Sequence, residues 1–124
     1  MSATQAAGLT QEINEYIRQH RDWKEHLLEA INTGKSEYSP EAIAGDHECA
    51  FGKWIYSADS ATRSTPQYEE TKRLHAEFHQ KASKVLADAL AGHRDQALHD
   101  VEHGAFNKAT SALVVSMMRW KRSL

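Results

Sequence analysis

"QYEETKRLHAEFHQKASKVLADALA", residues 67–91, has apolar side chains at the spacing of an amphipathic helix. The apolar stripe passes through Tyr68, Ala82, Val85, Leu86 and Leu90. Proline favours the start of a helix and glycine its end, so Pro66 and Gly92 predict a helix from about residue 67 to Ala91. His75 and His79 fall on the same stripe, where side chains are expected to be buried.

Helical spacing continues on both sides of this segment, and no stretch alternates polar and apolar residues as a strand does. A long first helix is predicted from Thr10, which can cap it, to Asn32, just before Gly34. A long last helix is predicted from Arg94 to Lys121. The segments between these helices are polar and are expected to be loops, apart from one short helix.

That short helix is predicted over residues 47 to about 57, with Asp46 as its capping residue. Aromatic and branched side chains would anchor it to the bundle, and Gly52 would allow a close approach. It also carries Cys49, the only cysteine. The predicted fold is all-α: a helical bundle of three long helices plus one short helix carrying the cysteine, in a single domain over residues 1–124.

Composition limits the possible functions. The chain has 124 residues, with 15 basic and 17 acidic side chains and a formal charge of −2, so neither nucleic acid nor an acidic membrane surface is an expected partner. One cysteine cannot form an internal disulfide, and no secretory signal or membrane-spanning apolar run is visible. We therefore expect a cytoplasmic location and no membrane insertion.

Histidine is unusually frequent, with eight residues. His20 lies in the apolar stripe of the first helix, so three imidazoles, those of His20, His75 and His79, are predicted to be buried. A single buried histidine is most simply a core residue bonded to a carbonyl, but His75 and His79 are four apart and face the same side. His99 and His103 form a competing pair of the same spacing, in a polar surrounding that favours a solvated face.

Cys49 has three possible roles. No cysteine-enzyme signature surrounds it, which disfavours a nucleophile, and inert packing remains the simplest alternative. As a metal ligand it would complete a His3Cys set with His20, His75 and His79, and those donors suit zinc. A place in the first turn of a helix would lower the pKa of its thiol. Ferritin-like and hemerythrin-like histidine–glutamate spacings are absent from the sequence, which disfavours a di-iron site.

Three segments together resemble the chemoreceptor zinc-binding domain family: "QHRDW", then "CAFGKWI", then "LHAEFH". The resemblance covers nearly the whole chain and implies a helical bundle, a homodimer and one zinc ion per subunit held by His20, Cys49, His75 and His79. It also implies regulation, in which zinc, or oxidation of the cysteine by hypochlorous acid, changes the output of a chemotaxis receptor or a diguanylate cyclase. The chain departs from this pattern because no signalling module is expected within 124 residues.

Four protein ligands would leave no zinc position for water, so we predict a regulatory domain and not an enzyme. Its predicted function is sensing of zinc or oxidants, with output to a signalling partner in chemotaxis or the cyclic-di-GMP pathway. Two apolar faces on the last helix, one through Val101 and Val115 and one through Phe106 and Trp120, favour a homodimer. The alternatives are a small metalloenzyme with an open zinc site and a metal-free interaction bundle.

Overall fold

The computed structural model describes residues 3–47 and 49–123, which form seven helices and no β-strand. The helices are α1 (Ala3–Thr33), α2 (Pro40–Ala44), α3 (Ala50–Tyr56), α4 (Ser60–Arg63), α5 (Pro66–Leu90), α6 (Arg94–His103) and α7 (Ala105–Arg122). The predicted all-α bundle with a short cysteine-bearing helix is confirmed. None of the helices in this part of the chain is long and apolar enough to cross a membrane.

Helix α5 is the centre of the bundle and contacts each of the other six helices. Its bounds match the sequence prediction, because Pro66 occupies its first position and Gly92 follows it with a φ of 85°. Gly34 ends α1 in the same way, with a φ of 71°, and its N–H donates to the carbonyl of Ala30. These left-handed glycines let α1 and α5 end abruptly.

The predicted start of the first helix at Thr10 was wrong, because α1 already begins at Ala3. Thr10 is therefore an internal residue and not the N-cap, and the first turn of α1 carries no acidic residue. A polar residue can cap a helix only where the preceding chain leaves helical geometry, and here the preceding residues continue the helix.

The predicted last helix, Arg94 to Lys121, is divided at Gly104 into α6 and α7. Asp100 causes the division: its Oδ1 accepts a hydrogen bond from the backbone N–H of Phe106 at 3.1 Å. A β-carbon on Gly104 would lie 2.7 Å from that same Oδ1 and 2.9 Å from the α-carbon of Asp100. The break therefore needs glycine, since any side chain would meet the buried carboxylate.

Two short helices occupy segments that were expected to be loops. Ser39 caps α2, its hydroxyl accepting from the N–H of Ala42 at 3.1 Å. Asp59 caps α4, its carboxylate accepting from the N–H of Thr62 at 2.8 Å. Both are single helical turns begun by a capping side chain, which apolar periodicity cannot reveal.

The core lies between α1, α5 and the α6–α7 pair. The predicted inward face of the last helix is buried through Phe106, Leu113, Met117 and Trp120. The break at Gly104 divides the second predicted face between α6 and α7. Val101 on α6 is buried, whereas Val115 on α7 is 47% exposed. Only the part on α7 remains available to another molecule.

Candidate metal centre

Helix α5 places His75 and His79 one turn apart on the side that faces the core. Both rings are buried, and their Nε2 atoms lie 3.0 Å apart. Spacing of four residues puts two side chains one above the other on a helix, so this closeness follows directly from the sequence. The predicted burial of both histidines is confirmed.

Helix α1 supplies His20, which is 2% exposed. Its Nδ1 lies 2.7 Å from the carbonyl oxygen of Tyr16, one turn earlier, so the ring donates its Nδ1–H there. The Nε2 atom is then the free electron-pair donor, and it is buried without a hydrogen-bond partner in the described residues. The ring lies 4.9 Å from that of His75 and 5.8 Å from that of His79, between centroids.

Cys49 reaches the two α5 histidines from the start of α3. Its Sγ is 3.2 Å from the Nε2 of His75 and 3.5 Å from the Nε2 of His79. Each of the four residues offers one ligand atom, and these four atoms all lie within 4.8 Å of one another. The residues are His20, Cys49, His75 and His79. The structure thus brings together the four side chains predicted to bind metal, from three separate helices.

The local structure around Cys49 differs from the prediction. Helix α3 begins at Ala50 and not at residue 47, and Glu48 lies outside the described residues. Cys49 itself is the N-cap, its Sγ accepting from the N–H of Gly52 at 3.4 Å. Asp46 instead accepts a hydrogen bond from the hydroxyl of Tyr56 at 2.7 Å. That bond ties the segment before Cys49 to the far end of α3.

Helix α2 orients the ring of His79, a role that the sequence did not indicate. The Nδ1–H of His79 donates to the carbonyl oxygen of Ile43 at 2.9 Å. Ser83 holds α2 against α5 by donating to the carbonyl of Pro40 at 2.7 Å. Such bonds fix the tautomer of a ligating imidazole and leave its Nε2 as the donor. The only sequence signal for this was the Ser-Pro pair that starts α2.

Aromatic rings enclose the four donors. Phe51 meets the rings of His20 and His75 edge to face, with centroids 5.8 Å and 5.0 Å apart. Phe78 meets His20 at 5.0 Å and His79 at 5.4 Å in the same way. These contacts exclude water from two sides of the cluster and lower its polarity.

Burial sets the protonation of the histidines. It lowers the pKa of His20 to about 4 and that of His75 to about 2, and repulsion from neighbouring histidines adds to both shifts. Burial lowers the pKa of His79 as well. All three imidazoles are therefore neutral near pH 7, as metal ligands must be.

The pKa of the Cys49 thiol is shifted in the direction opposite to the prediction. Burial raises the pKa of Cys49, and the N–H groups of Gly52 and Phe51 only partly oppose that shift. The expected lowering of the thiol pKa at the start of a helix was therefore wrong for the cluster by itself, because desolvation of the thiolate outweighs two hydrogen bonds. A divalent cation among the donors would reverse the balance, since a coordinated thiol is deprotonated.

The donor set fits a zinc ion. Thiolate sulfur and imidazole nitrogen are the donor types that closed zinc sites use, and the unpartnered Nε2 of His20 is explained if it ligates a cation. His20, Cys49, His75 and His79 would hold such an ion, which would cross-link α1, α3 and α5. Besides cross-linking the helices, the ion would stabilise the thiolate form of Cys49.

The remaining histidines lie on the surface. His26, His47, His93, His99 and His103 are all exposed, as their sequence surroundings predicted. The rings of His99 and His103 are 6.1 Å apart between centroids, and they form no part of the buried cluster.

Comparison with known families agrees with the geometry. A sequence model of the chemoreceptor zinc-binding domain matches residues 20–86, which is more than half of the chain and includes all four clustered residues. The protein therefore belongs to the chemoreceptor zinc-binding domain family. Comparison with curated proteins and with solved structures gave no match.

Proposed function

We propose that this protein is a regulatory domain that holds one zinc ion through His20, Cys49, His75 and His79. The observation that carries the proposal is the convergence of four neutral or ionisable donor atoms within 4.8 Å in a water-poor interior. Membership of a zinc-binding family supports the identity of the metal. A metal-free packing role would leave the Nε2 of His20 buried and unsatisfied, at a cost of about 1–3 kcal/mol.

The same donor set supports a regulatory function and disfavours catalysis. Four protein ligands complete the tetrahedron that zinc prefers, so no position remains for a water nucleophile. His75, His79 and His20 are each held on a long helix, which favours a closed and well-ordered site. An open-site metalloenzyme would need one of these donors to turn away from the others.

Cys49 is the donor through which an oxidant signal would act. Its side chain is half-buried, unlike the three histidines, and it caps α3, which has only seven residues. Hypochlorous acid converts a thiolate to sulfenic acid with release of chloride, and a sulfenic acid is a poorer zinc ligand. Loss of that ligand would loosen α3 from α5, because a helix of seven residues is not stable by itself and depends on its tertiary contacts. The released helix would be the output signal.

We further propose that the domain acts as a homodimer in the cytoplasm and modulates a signalling partner such as a chemoreceptor or a diguanylate cyclase. The exposed stripe of α7, formed by Ala105, Ala112 and Val115, supports a helix-to-helix contact with a second copy. Small side chains at a helix surface permit close packing of another helix. The partner classes come from the family resemblance alone.

Metal analysis tests the proposal. Protein purified with zinc present should carry one ion per chain, and Cys49→Ala and His79→Ala should each lose most of it. His26→Ala, which removes an exposed histidine from α1, should retain it as a control. Cobalt substitution should give the absorption of a tetrahedral thiolate complex. Equal trace metal in all four proteins would rule out the site, and a five- or six-coordinate cobalt spectrum would favour the open-site enzyme.

The oxidant step has its own test. Hypochlorous acid at one equivalent should release zinc from the native protein to a chelating dye. Cys49→Asp keeps an anionic ligand without an oxidisable sulfur, so its bound zinc should resist the same treatment. Equal release from both proteins would show that oxidation of other residues, such as the methionines, frees the ion.

A further inference from the structure

Helix α6 carries a second pair of histidines on its outer surface. His99 and His103 are one turn apart, both are exposed, and their ring centroids lie 6.1 Å apart. In the described part of the chain, no hydrogen bond or ion pair engages either ring. Both imidazoles are therefore available to a ligand from solution, without any rearrangement of the core.

The spacing of this pair is that of a chelate. Side chains four apart on a helix project from the same face, so two imidazole nitrogens can meet one ion. Once the first nitrogen binds, the second is held nearby at a high effective concentration, and affinity rises well beyond that of a single histidine. The same spacing operates in the buried cluster, where His75 and His79 bring their Nε2 atoms to 3.0 Å.

The electrostatic surroundings favour a cation. His103 is the last residue of α6, where the partial negative charge of the helix end lies. Asp95 is exposed one turn before His99, and Glu102 is exposed beside His103. Neither carboxylate is part of the histidine pair, but their negative charges lower the free-energy cost of bringing a divalent ion to this face.

We propose that His99 and His103 form a second metal site, open to solvent, for divalent transition-metal ions that prefer imidazole. Two protein nitrogens leave the other coordination positions to water or to a further ligand. Copper(II) should bind most tightly among the first-row ions, as the general order of affinities requires. The site differs from the buried centre in having no thiolate and in exchanging its ion freely. The proposal does not depend on the proposed function, because the two sites share no residue.

Copper(II) titration followed by electron paramagnetic resonance tests this site. The full chain is first saturated with zinc and freed of unbound ions, so that the thiol of Cys49 is protected. Substoichiometric copper(II) should then show hyperfine coupling to two imidazole nitrogens. His99→Ala and His103→Ala should each reduce the coupling to one nitrogen and raise the dissociation constant about tenfold or more. His26→Ala, which removes an exposed histidine with no second histidine four residues away, should change neither quantity.

A relocated pair provides a matched rescue. Asp95→His combined with His103→Ala restores two histidines four apart, at positions 95 and 99, on the same exposed face. This double variant should regain two-nitrogen coupling and most of the affinity. Unchanged copper binding in His99→Ala and His103→Ala, or failure of the relocated pair to recover the signal, would overturn the proposal. All the positions are exposed, so loss of folding would not confuse the result.

Discussion

The rings of Phe51 and Trp54 are stacked on α3, with centroids 5.8 Å apart and planes inclined by 12°. Phe51 faces the metal centre and contacts the rings of His20 and His75. Trp54 contacts Trp120 of α7, with ring centroids 5.2 Å apart. One rigid pair of rings thus connects the candidate zinc ligands to the helix that carries the proposed dimer surface.

This connection predicts that tryptophan fluorescence reports the state of the metal centre. Zinc added to the metal-free protein should change the emission, because Trp54 moves with the helix that carries Cys49. Trp54→Phe should lose most of that change. Trp23→Phe, which removes an indole that packs instead against His26 and Tyr38, should keep it. A zinc response that survives in Trp54→Phe and vanishes in Trp23→Phe would contradict the coupling.

Gly52 is predicted to be essential for docking of α3. A β-carbon there would lie 2.8 Å from the carbonyl carbon of Asp46 and 2.9 Å from the α-carbon of His47, both backbone atoms that cannot turn aside. Gly52→Ala should lower the free energy of unfolding by about 3 kcal/mol and weaken zinc binding. Gly8→Ala is the matched control: beyond the backbone of its own helix, a β-carbon there would meet no atom within 4 Å, and alanine should stabilise α1 by about 0.5–1 kcal/mol. Thermal unfolding and zinc titration measure both effects.

The sequence predicted the parts of the molecule that depend on periodicity. Helix α5 was predicted to within a residue, because a long apolar stripe bounded by proline and glycine leaves few alternatives. The burial of His20, His75 and His79 followed from the same stripes. Cys49 was added to this set on chemical grounds, because one thiol and three buried imidazoles are donors that suit a zinc site.

The features that the sequence did not predict depend on single hydrogen bonds, which the apolar periodicity of the sequence does not encode. The bond from Phe106 to Asp100 divides the last helix, although the apolar pattern runs through the division. The carbonyl of Ile43 orients His79, and backbone atoms leave no residue-type signal. Cys49 replaces Asp46 as the cap because Asp46 is already bonded to Tyr56. Contacts formed only in the folded protein therefore determine the helix division, the orientation of His79 and the cap of α3.

A buried hydrogen bond between α5 and α7 should affect stability without affecting metal binding. The hydroxyls of Thr71 and Ser116 are 2.8 Å apart and both residues are buried. Thr71→Val leaves Ser116 without its partner, so it should cost about 1–3 kcal/mol of unfolding free energy. Thr71→Val with Ser116→Ala should cost less than the sum of the single changes. Urea denaturation measures the cycle, and the zinc content should stay at that of the native protein. Additive costs would show that the hydroxyls do not depend on each other.

The metal-free protein should lose stability as the pH falls below about 6.5, the ordinary histidine value. Burial lowers the pKa of His20 to about 4 and also lowers those of His75 and His79. In this range the unfolded chain binds protons that the folded chain does not, so acid favours unfolding. Each histidine can contribute at most about 1.4 kcal/mol per pH unit.

Urea denaturation with a chelator present, between about pH 7.5 and pH 5, measures this dependence. His20→Phe replaces one buried imidazole with a ring that cannot be protonated, so its stability should fall less steeply with acid than that of the native protein. His26→Gln removes an exposed histidine and should leave the slope unchanged. If the native protein and His20→Phe showed equal slopes, His20 would have to remain neutral in the unfolded chain or be accessible to protons in the folded one. The first contradicts the ordinary titration of histidine, and the second contradicts its 2% exposure.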